Sequence, residues 1–477
     1  MRFTVISHAC CLIEHEGVSI LIDPWIIGSC YWRSWWNFPE PPDDVIEDLK
    51  PDFIYLTHLH WDHFHGPSLR RFDRDTPVLV PLATTDRMVR DMHDVGFQNI
   101  IEIPHGNSFE LAPGFTISSF QFGPTLDSAA VITNGLTTIA DLNDCKSFGL
   151  MLKEISSRFP KIDFMLRSHS SAGAVPLCVE NHEEVIPNSN RSNDDYIEEF
   201  ARVGFSLGAR YAIPFASNHC FLHKETVEFN ETATTPDKVA RFYNKIAEGT
   251  GVETECVVMA PGSSWSAEKG FDLREFNYNA KDEYRATLEK KYESKLTRQY
   301  ALEDRTKPSV RAFTRYHQEM FKAIPRWIRK RSGLRITYQV HGGGETKLLH
   351  VDLPRGESEV VEKTPEDSSF TVRVPAKVFN DCCRQKMFSV WSASKRLRFV
   401  VTKENAPQLG PFLTLLDLYE QDFFPLRRNL SRRSLSSRIR RWREVVEFLR
   451  LAFLVRVAGR RFDPKELHPP LPSPFTS

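Results

Sequence analysis

The sequence predicts an α/β protein with an amino-terminal domain of alternating strands and helices, a smaller α+β domain, and a basic helix at the end. The first domain is predicted because short apolar runs of strand length alternate with segments of helical period up to about residue 265. The second is predicted because strand-like runs return after residue 331. The expected units are 1–265, a charged helical connector at 266–330, the small domain at 331–425, and a basic amphipathic helix with a Pro-rich tail at 426–477.

Length and composition indicate a folded chain of several domains. At 477 residues it is too long for one core, and its 41% apolar and 26% charged residues are typical of globular proteins. Lys plus Arg equals Asp plus Glu at 62 each, so the net charge points to no class of partner. The nine cysteines never form the Cys-x-x-Cys spacing of a zinc or redox site, and a reducing cytoplasmic location is expected. No secretory profile and no run of eighteen apolar residues is found.

The elements of the first domain are predicted in chain order from their periodicity. Two alternating apolar runs around Glu16 and Gly17 predict a hairpin, and PDFIYL predicts a strand that ends at Thr57. TDRMVRDMHDVGF is an amphipathic helix that Gly96 ends. IIEI, FTISSFQF, AAVIT and TTIADL are the strands that follow.

The rest of the chain is a charged helical stretch followed by strands. KDEYRATLEKKYESKLTRQYALED has a helical period and high charge, which predicts a connector or an outer layer. LRITYQVHG, KLLHVDLP and SFTVRVPAKVFNDCC predict strands, and the glycines at 342–344 predict a hairpin turn because no helix follows to make a phosphate site. With its later KRLRFVV strand and LTLLDLYEQDF helix, this segment resembles small domains of the sterol-carrier type.

The stretch YLTHLHWDHFHG indicates a metal site on the loop that follows a strand. Extended chain directs alternate side chains to one face, so His58 and His60 can turn toward a common point, while Asp62 and His63 follow on the turn. Imidazole and carboxylate suit zinc, iron or manganese, and one such cluster can serve two neighbouring ions. The alternative is a solvated loop that is rich in histidine, but four of the sixteen histidines fall within eight positions here. His65 lies past the turn and is not included.

His-x-His-x-Asp-His after an apolar strand resembles the metallo-β-lactamase superfamily. The resemblance implies an αββα sandwich, two sheets flanked by helices, for the first domain. In that family an aspartate like Asp23, at the end of the first hairpin, supports the ligand loop, and His8 resembles a histidine of the lactonase-like branch. Both would fix the tautomer and orientation of the ligands. The alternative for His8 is a structural histidine of the hairpin.

Further ligands are expected at later strand ends. The resemblance places Asp144, which follows TTIADL, as a bridge between two metals, with Asp141 as a weaker choice. The family usually has a histidine ahead of this aspartate, and the matching stretch FQFGPTLDS has none. Either Asp127 replaces it or one metal has fewer protein ligands. Oxygen-rich coordination would favour iron or manganese over zinc.

Six short pieces extend the resemblance: GPTLDS, LNDC, RSHSSAGAVPLC, RYAIPFASNHCFLHKE, NETATTPDKV and MAPG, in this order. They are similar to the metallo-β-lactamase-like part of CMP-N-acetylneuraminate hydroxylases. His223 stands where that pattern has a histidine, and His219, four residues earlier, would face the same metals on a helix. His169 is expected to support the site. A structural role is the alternative for each. Those hydroxylases carry a Rieske domain, whose ligand motif this sequence lacks, so the resemblance implies a separate electron donor.

Two enzymatic functions are open. The favoured one is a di-iron, O2-dependent hydroxylase or monooxygenase that acts on a small or lipid-like metabolite, with electrons from a reductase or ferredoxin-type protein. The alternative is a hydrolase of an ester, lactone or phosphodiester that uses a metal-bound hydroxide, with Asp62 as the catalytic group that holds or accepts the proton of the attacking water. Either enzyme needs two divalent ions, with iron favoured and zinc or manganese possible. A non-catalytic scaffold is the third interpretation.

The end of the chain is strongly basic. Residues 427–461 hold twelve arginines and only two acidic residues, a local charge of +10. Large apolar residues recur at steps of three and four, as one stripe on a helix: Leu435, Ile439, Trp442, Val446, Leu449 and Phe453. This pattern predicts a helix on an anionic membrane surface, at the inner face of the membrane. The alternative is a helix docked on the body through its arginines; a nucleic-acid partner is not expected.

Overall fold

The computed structural model describes residues 1–123, 127–187, 192–456 and 464–472. The strands in these ranges are β1 (Arg2–Val5), β2 (Cys11–His15), β3 (Val18–Ile22), β4 (Ser29–Cys30), β5 (Trp35–Asn37), β6 (Phe53–Tyr55), β7 (Val78–Pro81), β8 (Ile100–Ile103), β9 (Ser108–Ala112), β10 (Phe115–Phe122), β11 (Asp127–Thr133), β12 (Thr138–Asn143), β13 (Phe164–Arg167), β14 (Tyr211–Pro214), β15 (His219–Phe221), β16 (Glu255–Cys256), β17 (Ser264–Ser266), β18 (Gly270–Asp272), β19 (Arg335–Gly342), β20 (Glu345–Asp352), β21 (Glu357–Val361), β22 (Phe370–Pro375) and β23 (Arg398–Val400).

The helices in the same ranges are α1 (Asp43–Ile46), α2 (Gly66–Leu69), α3 (Arg87–Val95), α4 (Gly149–Arg158), α5 (His182–Val185), α6 (Asn193–Leu207), α7 (Pro236–Thr250), α8 (Lys281–Arg305), α9 (Val310–Ala323), α10 (Arg326–Ser332), α11 (Ala376–Gln385), α12 (Phe388–Ser394), α13 (Leu409–Glu420), α14 (Arg432–Arg440) and α15 (Trp442–Arg456). Among these described helices, none combines the length and the apolar character needed to cross a bilayer.

Two sheets form the first domain. One has the strand order β18-β17-β1-β2-β3-β6-β7-β8 and the other β16-β14-β13-β12-β11-β10-β9. Side chains of both sheets meet in one buried cluster that includes Phe3, Ile20, Ile132, Phe164 and Ile213. Helix α3 covers the outer face of the first sheet, and α4, α6 and α7 cover that of the second. This is the predicted αββα sandwich, and the predicted fold class is confirmed.

Local sequence explains where the covering helices begin and end. Ser192 caps α6, because its side chain accepts a hydrogen bond from the backbone N–H of Asp195 while the Asp195 carboxylate accepts from the Ser192 backbone. Gly96 ends α3 in a left-handed conformation with φ of 114°, which a side chain would strain. Met88 and Met92 of α3 are buried against the first sheet. The side of α3 that the amphipathic pattern predicts to be buried is therefore the side that packs on the sheet.

A third, small sheet contains the first of the late histidines, His219. Strands β15, β5 and β4 pair in this order, with His219 opposite Asn37. Extended pairing with β5 replaces the helix that would have put His219 and His223 on one face. The condition that this segment is helical is not met, because His219 lies in a strand, β15 ends at Phe221, and the turn that follows directs the ring of His223 elsewhere.

The second half of the chain contains the small α+β domain. Its sheet has the order β21-β20-β19-β22-β23, and the glycines at 342–344 make the predicted hairpin turn between β19 and β20. Helices α9, α11, α12 and α13 pack on it through residues such as Phe379 and Trp391. The same buried cluster includes Trp32 and Phe221 of the first domain, so the two units share a core.

The expected boundary at residue 265 falls inside a hairpin. Strands β17 and β18 pair with each other, and β17 also pairs with β1, so residues 264–272 belong to the first sheet. The charged helix α8 follows, and its Leu288, Tyr292 and Leu296 pack on Trp36 and Phe38 of the first domain. This stretch is an outer layer held against the body.

Candidate metal centre

The loop after β6 brings two histidines together at the edge of the first sheet. The Nε2 atom of His58 lies 2.8 Å from Nδ1 of His60, and Thr57 Oγ1 lies 2.9 Å from Nδ1 of His58. Asp144, just after β12 of the second sheet, joins them. One ligand atom from each of His58, His60 and Asp144 lies within 4.8 Å of the others. These three residues are the first ligand group.

A second ligand group lies beside the first. The Oδ2 atom of Asp62 is 3.1 Å from Nε2 of His8 and 3.3 Å from Nε2 of His63. The two groups touch, because Nε2 of His63 is also 3.4 Å from Oδ2 of Asp144. Donors from β1–β2, the β6 loop and the end of β12 therefore meet at one point between the two sheets.

Asp23 holds the ligand loop in place. Its carboxylate accepts hydrogen bonds from the backbone N–H and the hydroxyl of Thr57, at 2.8 and 2.6 Å. It also lies 2.7 Å from Nδ1 of His63 and accepts from the Asn143 amide at 2.6 Å. With Nδ1 of His63 held by Asp23, its Nε2 faces Asp62 and Asp144. The supporting role expected of Asp23 matches these contacts.

Two residues that sequence reasoning missed complete the surroundings. The hydroxyl of Tyr31 donates to Oδ1 of Asp62, which leaves Oδ2 facing His8 and His63. Asn143 has a positive φ of 51° where the pairing of β12 with β13 slips by one residue, and this slip directs Asp144 toward the histidines. The position of Asn143 at the end of a predicted strand, just before Asp144, was the only clue in the sequence.

Charges at the centre are strongly coupled. Burial alone would raise the pKa of Asp62, but the His63 and His8 imidazoles outweigh it and hold that pKa well below its ordinary range. Burial would likewise raise the pKa of Asp144, and His63 lowers it instead. For His63 the effect of burial is reversed by Asp62 and Asp23, which raise its pKa well above the ordinary value. Burial lowers the pKa of His58 and of His60, so both are neutral.

The donor set fits a pair of divalent cations. The ring nitrogens of His58 and His60 lie 2.8 Å apart, as in an N–H···N hydrogen bond, and a change of tautomer lets both nitrogens offer a lone pair to a cation. Nε2 of His63 is buried and, within the described part of the chain, makes no hydrogen bond of good geometry. Imidazole nitrogens with carboxylate oxygens are the ligands that zinc, iron and manganese take.

Asp127 lies at the first ligand group. It opens β11, and its Oδ1 is 3.9 Å from Nε2 of His58. Burial and the neighbouring Asp144 raise the pKa of Asp127 to about 7. Its carboxyl thus stands beside the histidine pair.

The late histidines lie outside both ligand groups. The ring of His219 stacks on Trp35, with centroids 3.5 Å apart, and its centroid is 5.4 Å from that of His8. His223 points elsewhere: its Nε2 is 3.3 Å from Oε2 of Glu303, and its Nδ1 accepts from the backbone N–H of Glu225. The structure does not bring His223 to the ligand groups, because both of its ring nitrogens face other residues.

The predicted residues His169 and Asp141, and His65, which was not included in the predicted site, have distinct surroundings. His169 is buried; its backbone N–H donates to Ser217, and its ring nitrogens make no hydrogen bond within the described residues. His65 lies 2.8 Å from the Ser68 hydroxyl at the start of α2. Asp141, the weaker choice for the bridge, is fully buried beside β11, and burial with the charge of Asp23 raises its pKa well above the ordinary value. Its carboxyl lies inside the sandwich, where burial favours the neutral form.

A cavity of about 950 Å³ lies over the first ligand group, between the two domains. His58, His60 and Asp127 form its floor. Aromatic rings form one wall, where Tyr31 stacks on Trp61 with an interplanar angle of 8°. The small domain supplies the opposite wall, from the following residues: Asp381, Gln385, Lys386, Met387, Ser389, Val390, Asp417, Glu420 and Gln421. Access to the ligand groups therefore passes between both domains.

Comparison with known proteins agrees with this geometry. Residues 19–166 match the family model described as Beta-lactamase superfamily domain. A putative Rieske 2Fe-2S iron-sulfur protein of Mycolicibacterium smegmatis is 28% identical over 258 residues, which are 50% of this chain and 48% of the relative. The cytidine monophosphate-N-acetylneuraminic acid hydroxylase of Mus musculus is 30% identical over 152 residues, 30% of this chain and 26% of the relative.

The resemblance to these hydroxylases, predicted from short sequence pieces, is confirmed as a relationship of sequence. The chain spans less than half the length of either relative. Among solved structures, isothiocyanate hydrolase from Delia radicum gut bacteria is similar to this chain, with 17% identity and a TM-score of 0.41, over 56% of this chain and 99% of that one. The family match and the two-sheet sandwich support a metal-binding enzyme of the metallo-β-lactamase fold.

Proposed function

We propose that the chain is a di-iron hydroxylase that inserts one oxygen atom of O2 into a C–H bond of a small or lipid-like metabolite. The balance is one substrate, one O2, two electrons and two protons, giving hydroxylated substrate and water. The electrons come from a separate reductase or ferredoxin-type protein. The observation that carries this proposal is Asp127, a carboxylate beside His58 where a histidine would suit zinc.

The proposed ligands divide between two ions. His58, His60 and Asp127 would hold one ion, Asp62, His63 and His8 would hold the other, and Asp144 would bridge them. Bound iron supplies the binding of dioxygen and the oxidation of the C–H bond. With three carboxylates against four imidazoles, this set is richer in oxygen than an all-histidine zinc site.

The surrounding residues position the ligands and exclude water. Tyr31 donates to one oxygen of Asp62 and so directs the other toward the centre. Asp23 fixes the ring of His63 in the same way. Tyr31 and Trp61, stacked on each other, give the cavity an apolar wall against which a hydrocarbon portion of the substrate can lie.

A hydrolase is the second candidate, and the charge of Asp62 favours it. Its pKa is held well below the ordinary range, so Asp62 is an ionised acceptor at neutral pH beside His8. In that function Asp62 would accept a hydrogen bond from an attacking water, and zinc would polarise an ester, lactone or phosphodiester.

Metal identity separates the two candidates. The full chain is purified without chelators, and iron and zinc are measured by elemental analysis together with the visible spectrum. The hydroxylase predicts iron and a visible absorption band, and no turnover of p-nitrophenyl acetate or bis(p-nitrophenyl) phosphate. Colourless zinc protein that turns over either ester contradicts it.

A substitution at Asp127 tests the observation itself. Asp127→His restores a histidine beside His58, and we expect iron content to fall and zinc content to rise in the same medium. Asp163→His, at an aspartate that caps the β12–β13 edge, is the matched control and leaves the ratio unchanged. An Asp127→His protein with an unaltered iron-to-zinc ratio contradicts the proposal.

A further inference from the structure

The carboxyl-terminal helices dock on the body by their polar side. Four residues of α14 and α15, and Arg441 between the helices, are buried against the first domain; the four are Ser434, Ser437, Glu444 and Glu447. The sequence pattern suggested one continuous helix; the structure has two, with Arg441 between them. Residues 457–461 of the predicted segment lie outside the described residues.

Acidic and basic side chains make the contacts with the body. Glu447 accepts from the backbone N–H of Leu150 at 2.9 Å, in the first turn of α4, and Glu444 accepts from that of Gly123 at 3.0 Å. Arg433 donates to Glu102 at 2.7 Å and to the Ala83 carbonyl. The predicted docking through charged residues is therefore present, and it uses both acids of the segment.

The apolar stripe is left outside. Ile439 is 71% exposed, Leu449 66% and Phe453 59%, and the other stripe residues are exposed as well. Neighbouring apolar side chains extend the surface: Leu426, Leu430, Val445, Phe448 and Val455. An amphipathic helix normally buries its apolar side. A large exposed apolar patch therefore indicates a surface that a membrane or another molecule covers.

The charges beside the stripe have one sign. Within residues 426–455, six arginines are exposed, whereas both acidic residues, Glu444 and Glu447, are buried. The exposed arginines are Arg427, Arg428, Arg432, Arg438, Arg440 and Arg450. The surface that covers the stripe must therefore be anionic at its margin and apolar within.

We infer that α14 and α15 bind the surface of an anionic lipid bilayer, with the apolar stripe in the acyl boundary and the arginines among the headgroups. A bilayer provides both the hydrocarbon and the negative charge in one face. A second copy of this chain fits poorly, because a two-fold contact would set the six arginines of one protomer against those of the other. This inference does not depend on which reaction the metal centre performs.

Vesicle flotation of the full chain tests the inference. We expect binding to vesicles with 30 mol% phosphatidylglycerol in phosphatidylcholine, and binding at least tenfold weaker to pure phosphatidylcholine. Ile439→Glu combined with Leu449→Glu is expected to weaken binding at least tenfold. The matched control, Leu136→Glu with Val252→Glu, changes exposed apolar residues elsewhere and keeps native binding.

The contribution of charge is measured separately. Each arginine near an anionic surface contributes about 1 kcal/mol, or about fivefold, so Arg432→Gln with Arg438→Gln lowers binding about 25-fold. Arg71→Gln with Arg311→Gln, at exposed arginines elsewhere, leaves binding unchanged.

Three results overturn the inference. The first is native binding to anionic vesicles by the Ile439→Glu, Leu449→Glu protein, and the second is no binding by the native chain. The third is a concentration-dependent dimer in sedimentation velocity that the same two substitutions abolish, since this identifies a second copy as the occupant.

Discussion

Two segments of this protein contain closely spaced histidines and have different surroundings. In the loop after β6, His58, His60 and His63 converge, whereas His219 and His223 around β15 separate. The difference lies in what holds each ring. Asp23 holds Nδ1 of His63 so that Nε2 faces the centre, while Glu303 and Trp35 hold the later rings away from it. The spacing of histidines in the sequence does not by itself make them metal ligands. The residue that holds each imidazole ring decides whether its free nitrogen faces the metal centre.

The largest effect is expected at the first segment. Replacing His58 and His60 together by alanine removes two donors of one ligand group, and we expect metal affinity to fall by more than about 100-fold, beyond the range of supporting residues. The measurement is titration of metal-free protein with Fe²⁺ or Zn²⁺ under argon. The control is His341→Ala, which changes an exposed histidine in β19. Full metal content in the double variant would contradict the contrast between the two histidine segments.

A smaller loss is expected from the residue that orients the ligands. Asp23→Asn keeps the size of the side chain but removes the charge that faces Nδ1 of His63 and the hydroxyl of Thr57. Metal affinity should fall about 10–100-fold, with the fold retained by circular dichroism. An affinity equal to that of the native chain would show that the ring of His63 needs no such support.

The second segment is expected to contribute stability in place of metal binding. Burial would raise the pKa of Glu303, but His223 and Arg396 outweigh it and lower that pKa from 4.5 to about 2. A lowered pKa stabilises the fold above pH 4.5, and this contribution is lost as the pH falls toward 2. Glu303→Gln should lower the free energy of unfolding by about 1–3 kcal/mol at pH 7.

The pH dependence provides the check on that prediction. Urea unfolding of native and Glu303→Gln protein should differ most at neutral pH, and the difference should narrow between pH 4.5 and 2. Metal content should be the same in both proteins. A variant that loses metal while keeping its stability would place the His223 region with the metal centre and contradict the contrast between the segments.

The smallest effect is expected at His219. Its ring reaches the second ligand group only through His8, at 5.4 Å between centroids. His219→Gln should lower metal affinity about tenfold or less and unfolding free energy by about 1 kcal/mol, because the stack on Trp35 is lost. A loss as large as that of the His58, His60 variant would make His219 a ligand.

The sequence was most informative where the chemistry is local. The four donors of the β6 loop follow one short strand, so their residue types and spacing indicated a metal site, whereas Asp144 was placed only by the resemblance to a known family. Tyr31 and Asn143 were missed because their roles depend on contacts with Asp62 and Asp23 that no local pattern encodes. The helical expectation for 219–223 failed for a similar reason, since pairing with β5 overrides the local spacing.

Contacts between the two domains were likewise not predictable from local sequence patterns. The two-domain order and the fold class were predictable from periodicity, yet the cavity that joins the small domain to the first ligand group depends on tertiary packing. The terminal helices α14 and α15 show most clearly that local patterns do not reveal tertiary contacts. Their amphipathic period was read correctly, but only the structure shows that the polar side is buried and the apolar side exposed.

The central claim is that side chains from separate strand ends hold two neighbouring cations. Anaerobic titration of the metal-free full chain with Fe²⁺, followed by elemental analysis after desalting, tests it most directly. We expect two ions per chain, and fewer than one in the Asp144→Asn protein, which loses the residue proposed to bridge the two ions. A native stoichiometry of one ion or none, or an Asp144→Asn protein that retains both, would contradict the account.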